Sequence, residues 1–152
     1  MRTTLNMLLR FPRRGETIET IARLHKDVID RYQTVWLGIL GRSYSAANIE
    51  SIRKEGEFLY IVQMRVEDRP TLFKGRIADI RNNLPSDQHH LAPAYYNSFG
   101  VIGRAKLWVR LSSLESAPTA ELDNLRVRSS GKKATTLLKG MAYLAIVENE
   151  RR

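Results

Sequence analysis

Residues 57–66, EFLYIVQMRV, constrain the fold more than any other stretch. Phe58, Tyr60, Val62, Met64 and Val66 alternate with Leu59 and Ile61, a period of two that places apolar side chains on both faces of a strand. Glu67-Asp68-Arg69-Pro70 reads as a turn, and residues 71–80 repeat the strand pattern around an internal Gly75. Two consecutive strands joined by a short turn predict an antiparallel hairpin. A chain built on such a hairpin must cover both of its faces.

Further segments supply the cover. Residues 35–40 and KLWVRL at 106–111 read as strands. In the second, Trp108 and Arg110 share one face, and Leu107, Val109 and Leu111 share the other. Gly38, inside the earlier strand, predicts a bulge or the close approach of another backbone or a ligand. Residues 16–33 read as a helix with Ile18, Ala22, His25, Ile29 and Tyr32 on one stripe. His25 on that stripe reads as a packed, hydrogen-bonded core residue rather than a ligand. Ser45 is placed to cap a helix over residues 46–54, with Ile49 and Ile52 inward and Gly56 beyond its end. Residues 122–128 fit a short helix or a strand. Residues 135–147 read as a helix, with strand as the alternative for YLAIV at its end. Residues 81–100 form a long irregular connection carrying Tyr95, Tyr96 and Phe99, and connections of that length are commonly functional. Residues 1–14 read as a basic arm, with a strand or a disordered end as the alternative; residues 15–152 read as one domain.

The chain has 152 residues, a length that suits a single domain. Its 25 Lys and Arg exceed its 16 Asp and Glu, a net charge of +9. That excess favours a polyanionic partner, DNA or RNA. There is no cysteine, which excludes disulfides, thiol catalysis and Cys-based zinc sites. No apolar run approaches the roughly 20 residues of a membrane helix, and the N-terminus lacks the apolar stretch of a signal peptide. The expectation is a cytoplasmic protein with no membrane partner.

Sequence signatures of catalysis are missing. His89 and His90 are adjacent and point apart on regular structure, and no H-E-x-x-H, Walker A or G-x-S-x-G occurs. No enzyme activity, metal or cofactor is expected. Binding is better represented. Trp36, Tyr44, Tyr95, Tyr96, Phe99 and Trp108 fall near strand ends and loops. Interleaved with them are Arg42, Arg53, Lys54, Lys74, Arg76, Arg104, Lys106 and Arg110, and Lys132 and Lys133 follow in the basic turn 129–133. Aromatic faces stack on bases and cations neutralise phosphates. A flipped base would also need polar groups for its edge, for which Ser43, Gln63 and Asn97 are candidates. Against this stands the tendency of tryptophan in apolar strands to be core.

The segments VWLGILGRSYSAANIESIRKE, EFLYIVQ, FKGRIADI, KLWVRLSSLE and NLRVRSSGKKATTLLKGMAYLAIVE, in that order over residues 33–148, resemble the PUA-like superfamily, in particular its EVE and YTH-type branches. The resemblance implies an α+β fold: a small curved β-barrel of five or six mostly antiparallel strands with helices around it. It also implies binding of DNA or RNA, with a modified base held in an aromatic-lined pocket. The matching positions are Trp36 and Gly38, Ser43 and Tyr44, Trp108, and Ser129, Ser130 and Gly131, with Tyr95 and Tyr96 as further candidates to close the pocket. Any cutting would come from a partner such as a nuclease or an ATPase. The alternatives are an accessory domain that binds a protein or small ligand, and, below it, a nuclease or base-modifying enzyme working through Asp79, Asp87 or Glu67.

Overall fold

The structure, a computed structural model, describes residues 4–12, 17–64, 70–138 and 143–149. The strands in chain order are β1 (Leu5–Phe11), β2 (Val35–Ile39), β3 (Gly56–Met64), β4 (Pro70–Arg81), β5 (Leu107–Leu111), β6 (Glu115–Ser116), β7 (Leu125–Val127) and β8 (Leu144–Asn149). Helices α1 (Ile18–Tyr32) and α2 (Ala46–Glu55) flank β2, and the short helices α3 (Tyr95–Ser98) and α4 (Val101–Arg104) precede β5. The strands form one sheet in the order β2-β5-β4-β3-β1-β8-β7, with β6 beside β4. All pairs are antiparallel except β1 with β3. The fold class is therefore α+β with a mostly antiparallel sheet. The path is open: among the described residues no pairing joins β2 to β7 into a closed barrel.

The hairpin of β3 and β4 forms as its alternation predicts. Leu59 and Ile61 enter the main core, while Tyr60 and Val62 enter a second cluster on the opposite face. β4 then serves two neighbours. Phe58 to Met64 pair with Arg76 to Pro70, and beyond them Ile77 to Arg81 pair with β5, with a register shift between Ile77 and Asp79. Gly75 lies where the strand changes partners. A Cβ there would stand 2.6 Å from the Ser113 carbonyl oxygen and 2.9 Å from a Leu111 methyl, so only glycine permits the close crossing.

Within residues 1–14 the strand alternative to a basic arm holds: Leu5–Phe11 form a central strand. β1 lies between β3 and β8 and puts Leu5, Met7 and Leu9 into the main core and Leu8 into the second cluster. A strand covered on both faces is a short continuous apolar run with no alternation to announce it. Arg2, Arg13 and Arg14 lie outside the described residues. The expected helix over 135–147 is also corrected. Residues Ala134–Leu138 form a 3₁₀ turn and Leu144–Asn149 form β8, so the strand alternative for the end of that segment holds; residues 139–142 are outside the described set, as are Glu67 and Asp68. β8 completes its pairing between β1 and β7, and that demand outweighs local helical spacing.

The helices begin where their caps predict. Thr17 Oγ1 accepts from the Thr20 amide at 3.3 Å, and Ser45 Oγ accepts from the Asn48 amide at 3.2 Å. α1 ends on Gln33 in the left-handed conformation, whose amide donates to the Ile29 carbonyl at 2.7 Å. Ile18 and Ala22 of α1 join Ile49 and Ile52 of α2 in the main core. Gly75→Ala should destabilise the protein by about 1–3 kcal/mol, because backbone rather than a flexible side chain must yield. The urea midpoint measures this, and an unchanged midpoint would show that the crossing of β4 over residues 111–113 is slack.

Candidate nucleic-acid interface

Of the nine candidate pocket residues, Trp36, Gly38, Tyr95, Tyr96 and Trp108 lie together, Tyr44, Ser129 and Ser130 lie together elsewhere, and Ser43 lines neither place. Trp36 and Trp108 point to the outer face of the β2–β5 pair, and the segment between β4 and β5 folds back over them. Both are buried, at 0% and 1% exposure. With Tyr96, Val101, Ala92 and Ala105 they make a third apolar cluster. Trp36 Nε1 donates to Gln88 Oε1 at 2.7 Å and Trp108 Nε1 donates to the Ala105 carbonyl at 3.2 Å. Gly38, opposite Trp108 in the strand register, is needed by the indole itself: a Cβ would stand 2.9 Å from the ring. The expectation of an open pocket lined by both indoles is corrected. The physical reason is that residues 82–105, most of which fall in the stretch 81–100 that reads as a long irregular connection, contain enough apolar surface to roof the tryptophans.

Tyr95 and Tyr96 belong to the same roof. Their rings meet edge-on at 4.9 Å, and Tyr95 meets the exposed Phe99 at 6.1 Å. Tyr96 is tied to His25 on α1. The Ile21 carbonyl, 2.8 Å from His25 Nδ1, can only accept, so Nδ1 carries the proton and Nε2 is the acceptor. The Tyr96 hydroxyl then donates to Nε2 at 2.5 Å and accepts from the Gly38 amide at 3.3 Å. Both ring nitrogens of His25 and the Tyr96 hydroxyl are thus paired. Burial pushes the His25 pKa down to about 4, with the Ile21 hydrogen bond acting in the other direction; burial likewise drives the Tyr96 hydroxyl well above its ordinary value. His25 is the packed core residue that its place on the apolar stripe predicts. Gln63 is also structural: buried at 1%, its amide donates to the Pro12 carbonyl at 2.9 Å and accepts from the Ile18 amide at 2.9 Å. Asn97 and Ser43 are exposed.

The remaining candidates converge. A groove of about 640 Å³ opens between the loop after β2 and the turn after β7, floored by β8. Arg42 and Tyr44 come from the first loop, and Ser129, Ser130 and Lys132 from the turn, more than 80 positions away in the chain. Arg128, Asn48 and Thr136 also line it, and among the described residues none of its lining is acidic. Arg128 has one carboxylate nearby, Glu148 at 3.6 Å. Both walls are held by the backbone. Gly41 takes a left-handed φ of 80° while the Tyr143 hydroxyl donates to the Leu40 carbonyl at 2.9 Å. In the opposite wall Gly131, at φ 72°, lets its amide reach the Val127 carbonyl at 2.8 Å. Asn82 clamps the Tyr44 backbone from both sides, accepting from its amide at 3.3 Å and donating to its carbonyl at 3.1 Å.

Tyr44 is unusual among the buried polar groups. It is 8% exposed, and among the described residues its hydroxyl has no hydrogen-bond partner. Burial pushes its pKa up to about 12 although the Arg42 charge pulls it down. The hydroxyl therefore stays protonated as an unpaired donor beside a cationic groove.

The candidate phosphate contacts divide in the same way. Arg42 and Lys132 line the groove, and Lys133 is exposed in the turn after it. Arg53 lies in a neighbouring cleft, and Lys54 pairs with Glu50 at 3.6 Å. Lys74 is occupied by Glu121 at 3.2 Å and by the Phe58 ring at 5.0 Å, with Arg76 over the same ring at 5.7 Å. Arg104 and Lys106 are exposed on the far side of the tryptophan roof. Arg110 is half-buried with its guanidinium 5.8 Å over Trp36, and its Nε has no partner. Arg128, Asn48 and Asn82 were missed by the sequence reading. Arg128 directly precedes the Ser-Ser-Gly turn, so extending that motif by one residue would have included it. Among the described residues no helix is long and apolar enough to cross a membrane, and no cluster of three or more His, Asp or Glu forms.

Two hydroxyl deletions separate the site from the core. Tyr96→Phe should cost about 1–3 kcal/mol, because it leaves buried His25 Nε2 unpaired, whereas Tyr44→Phe should leave stability unchanged or raise it. Denaturant midpoints of the two variants give the comparison, and equal losses would remove the distinction. The histidine sets a pH dependence of known sign. His25 titrates near 4 when folded and near 6.5 when unfolded, so the unfolded chain binds more protons between those values. Its contribution is complete above pH 6.5 and declines as pH falls to 4, by about 3 kcal/mol. Wild type should lose that much more than His25→Gln between pH 7 and pH 4 in urea titrations; parallel losses would show that His25 is not the titrating group. No protein-family model, curated protein or solved structure matches this chain.

Proposed function

We propose that this protein is a non-catalytic nucleic-acid-binding module that holds the phosphate backbone in the groove between Tyr44 and the 128–132 turn. The observation that carries the reading is the convergence there of Arg42, Arg128 and Lys132 with no acidic lining residue among those described. Three cations in one concave site, on a chain of net charge +9, select a polyanion, and the Ser129 and Ser130 hydroxyls suit phosphate oxygens. A volume of about 640 Å³ lies within the range of small-molecule pockets. A base entering the groove would meet Tyr44 as its aromatic neighbour rather than the two indoles.

The PUA-like reading belongs to this proposal. The tryptophan strand, the capped helix, the hairpin centred on Gly75, the W-x-R-L strand and the Ser-Ser-Gly turn fold in the order that carries the resemblance. The inward faces of β1, β2, β3 and β5 share a single core, as a small curved barrel requires. Binding rather than turnover is favoured by His25, whose imidazole is sealed and fully paired instead of facing a cleft.

Fluorescence anisotropy with modified and unmodified, single- and double-stranded oligonucleotides at two salt concentrations tests the reading. The three phosphate contacts of the groove by themselves contribute about −2 to −3 to the log–log salt slope. The Arg42→Gln/Lys132→Gln variant should flatten the slope by about 1.5 units and keep its melting temperature. Absence of binding at moderate salt, with capture of a protein or small ligand instead, would replace the proposal with the accessory-domain alternative.

A further inference from the structure

We infer that Arg53 and Arg81, aligned by Asp79, form a second phosphate subsite on the far side of α2, so that one nucleic-acid strand crosses that helix between groove and subsite. This rests on the groove being a nucleic-acid site and extends its footprint. Asp79 accepts from Arg53 Nε at 3.2 Å through Oδ1 and from Arg81 Nε at 2.8 Å through Oδ2. The Ile80 amide also donates to Oδ1 at 2.8 Å, which fixes the carboxylate against the strand. Burial alone would raise the Asp79 pKa, but the hydrogen bonds from Arg81 and Ile80 and the two guanidinium charges outweigh it and hold the group ionised. One carboxylate thus orients two arginines and cancels only one of their charges. A guanidinium has five N–H donors, so the use of Nε on Asp79 keeps the terminal amino groups for a phosphate. The side chains are 41% and 50% exposed.

The pair borders a cleft of about 390 Å³ that includes Asn82 and Asn83. Its one carboxylate, Glu50, stands 3.6 Å from Lys54. The cleft and the groove share walls. Asn82 lines the cleft while its side chain clamps the Tyr44 backbone in the groove. Ala46, Glu50 and Arg53 fall on one stripe of α2, and Asn48, which lines the groove, falls on the opposite face. A helix is about 10–12 Å across with its side chains, a distance that about three nucleotides span. Asp79 is therefore a positioning residue for phosphate contacts that Arg53 and Arg81 make.

Binding of a fluorescent dinucleotide and a fluorescent dodecamer across a salt series tests the subsite. Arg53→Gln/Arg81→Gln should leave dinucleotide affinity unchanged, weaken the dodecamer, and flatten its salt slope by about 1.4 units. Asp79→Asn gives an independent sign. Removal of a negative charge alone would tighten dodecamer binding, whereas loss of alignment weakens it; thermal melts exclude unfolding as the cause. An unchanged dodecamer slope in the Arg53→Gln/Arg81→Gln variant, with the slope still flattened in Arg42→Gln/Lys132→Gln, overturns the subsite and leaves the groove standing. Failure of wild type to bind either oligonucleotide overturns both.

Discussion

β4 hydrogen-bonds to β3 along its first half and to β5 along its second, and the molecule is arranged around that change of partner. The crossing is possible because residue 75 has no Cβ to strike the Ser113 carbonyl. It brings the inward faces of the β1–β3 region and of the β2–β5 pair into one apolar core. It also delivers Asp79 and Arg81 to the end of the strand, beside α2, where the loop after β2 passes. The interior and the proposed binding surface thus share one geometric origin.

Buried polar groups sort themselves by whether the protein satisfies them. Asn6, His25 and Gln63 are fully buried, and each joins separate elements through paired hydrogen bonds. His25 ties α1 to β2 and to the tryptophan roof through Tyr96, so the roof is an integral layer rather than a lid. Tyr44 is the contrast. Its backbone is clamped by Asn82, yet among the described residues its hydroxyl has no partner, with the Arg42 charge nearby. A buried donor without a partner costs about 1–3 kcal/mol in a folded protein, a cost that an acceptor bound in the proposed site would offset.

Much of the secondary structure was legible because it depends on local spacing. The alternation in β3, the two faces of β5 and the caps of α1 and α2 each need only neighbours along the chain. β1 and β8 were obscure for the opposite reason. β1 carries apolar side chains to both faces, and β8 follows a segment with helical spacing, so their identity depends on the strands that flank them. The interface was half legible. Arg42, Tyr44, Ser129, Ser130 and Lys132 stood out as cations, aromatics and turn residues, but so did Trp36 and Trp108, because residue type does not report what lies on top of a side chain.

By itself the sequence determined a basic α+β chain with a glycine-centred hairpin, capped helices, a core histidine and no thiol chemistry, since charge, period and capping act within a few residues. Only the tertiary structure decided which aromatics are walls and which are fill. It sealed both indoles beneath residues 82–105 and placed Arg42 and Lys132 along one groove. Those outcomes follow from packing between segments far apart in the chain, where the burial of apolar surface, not local spacing, chooses the neighbours.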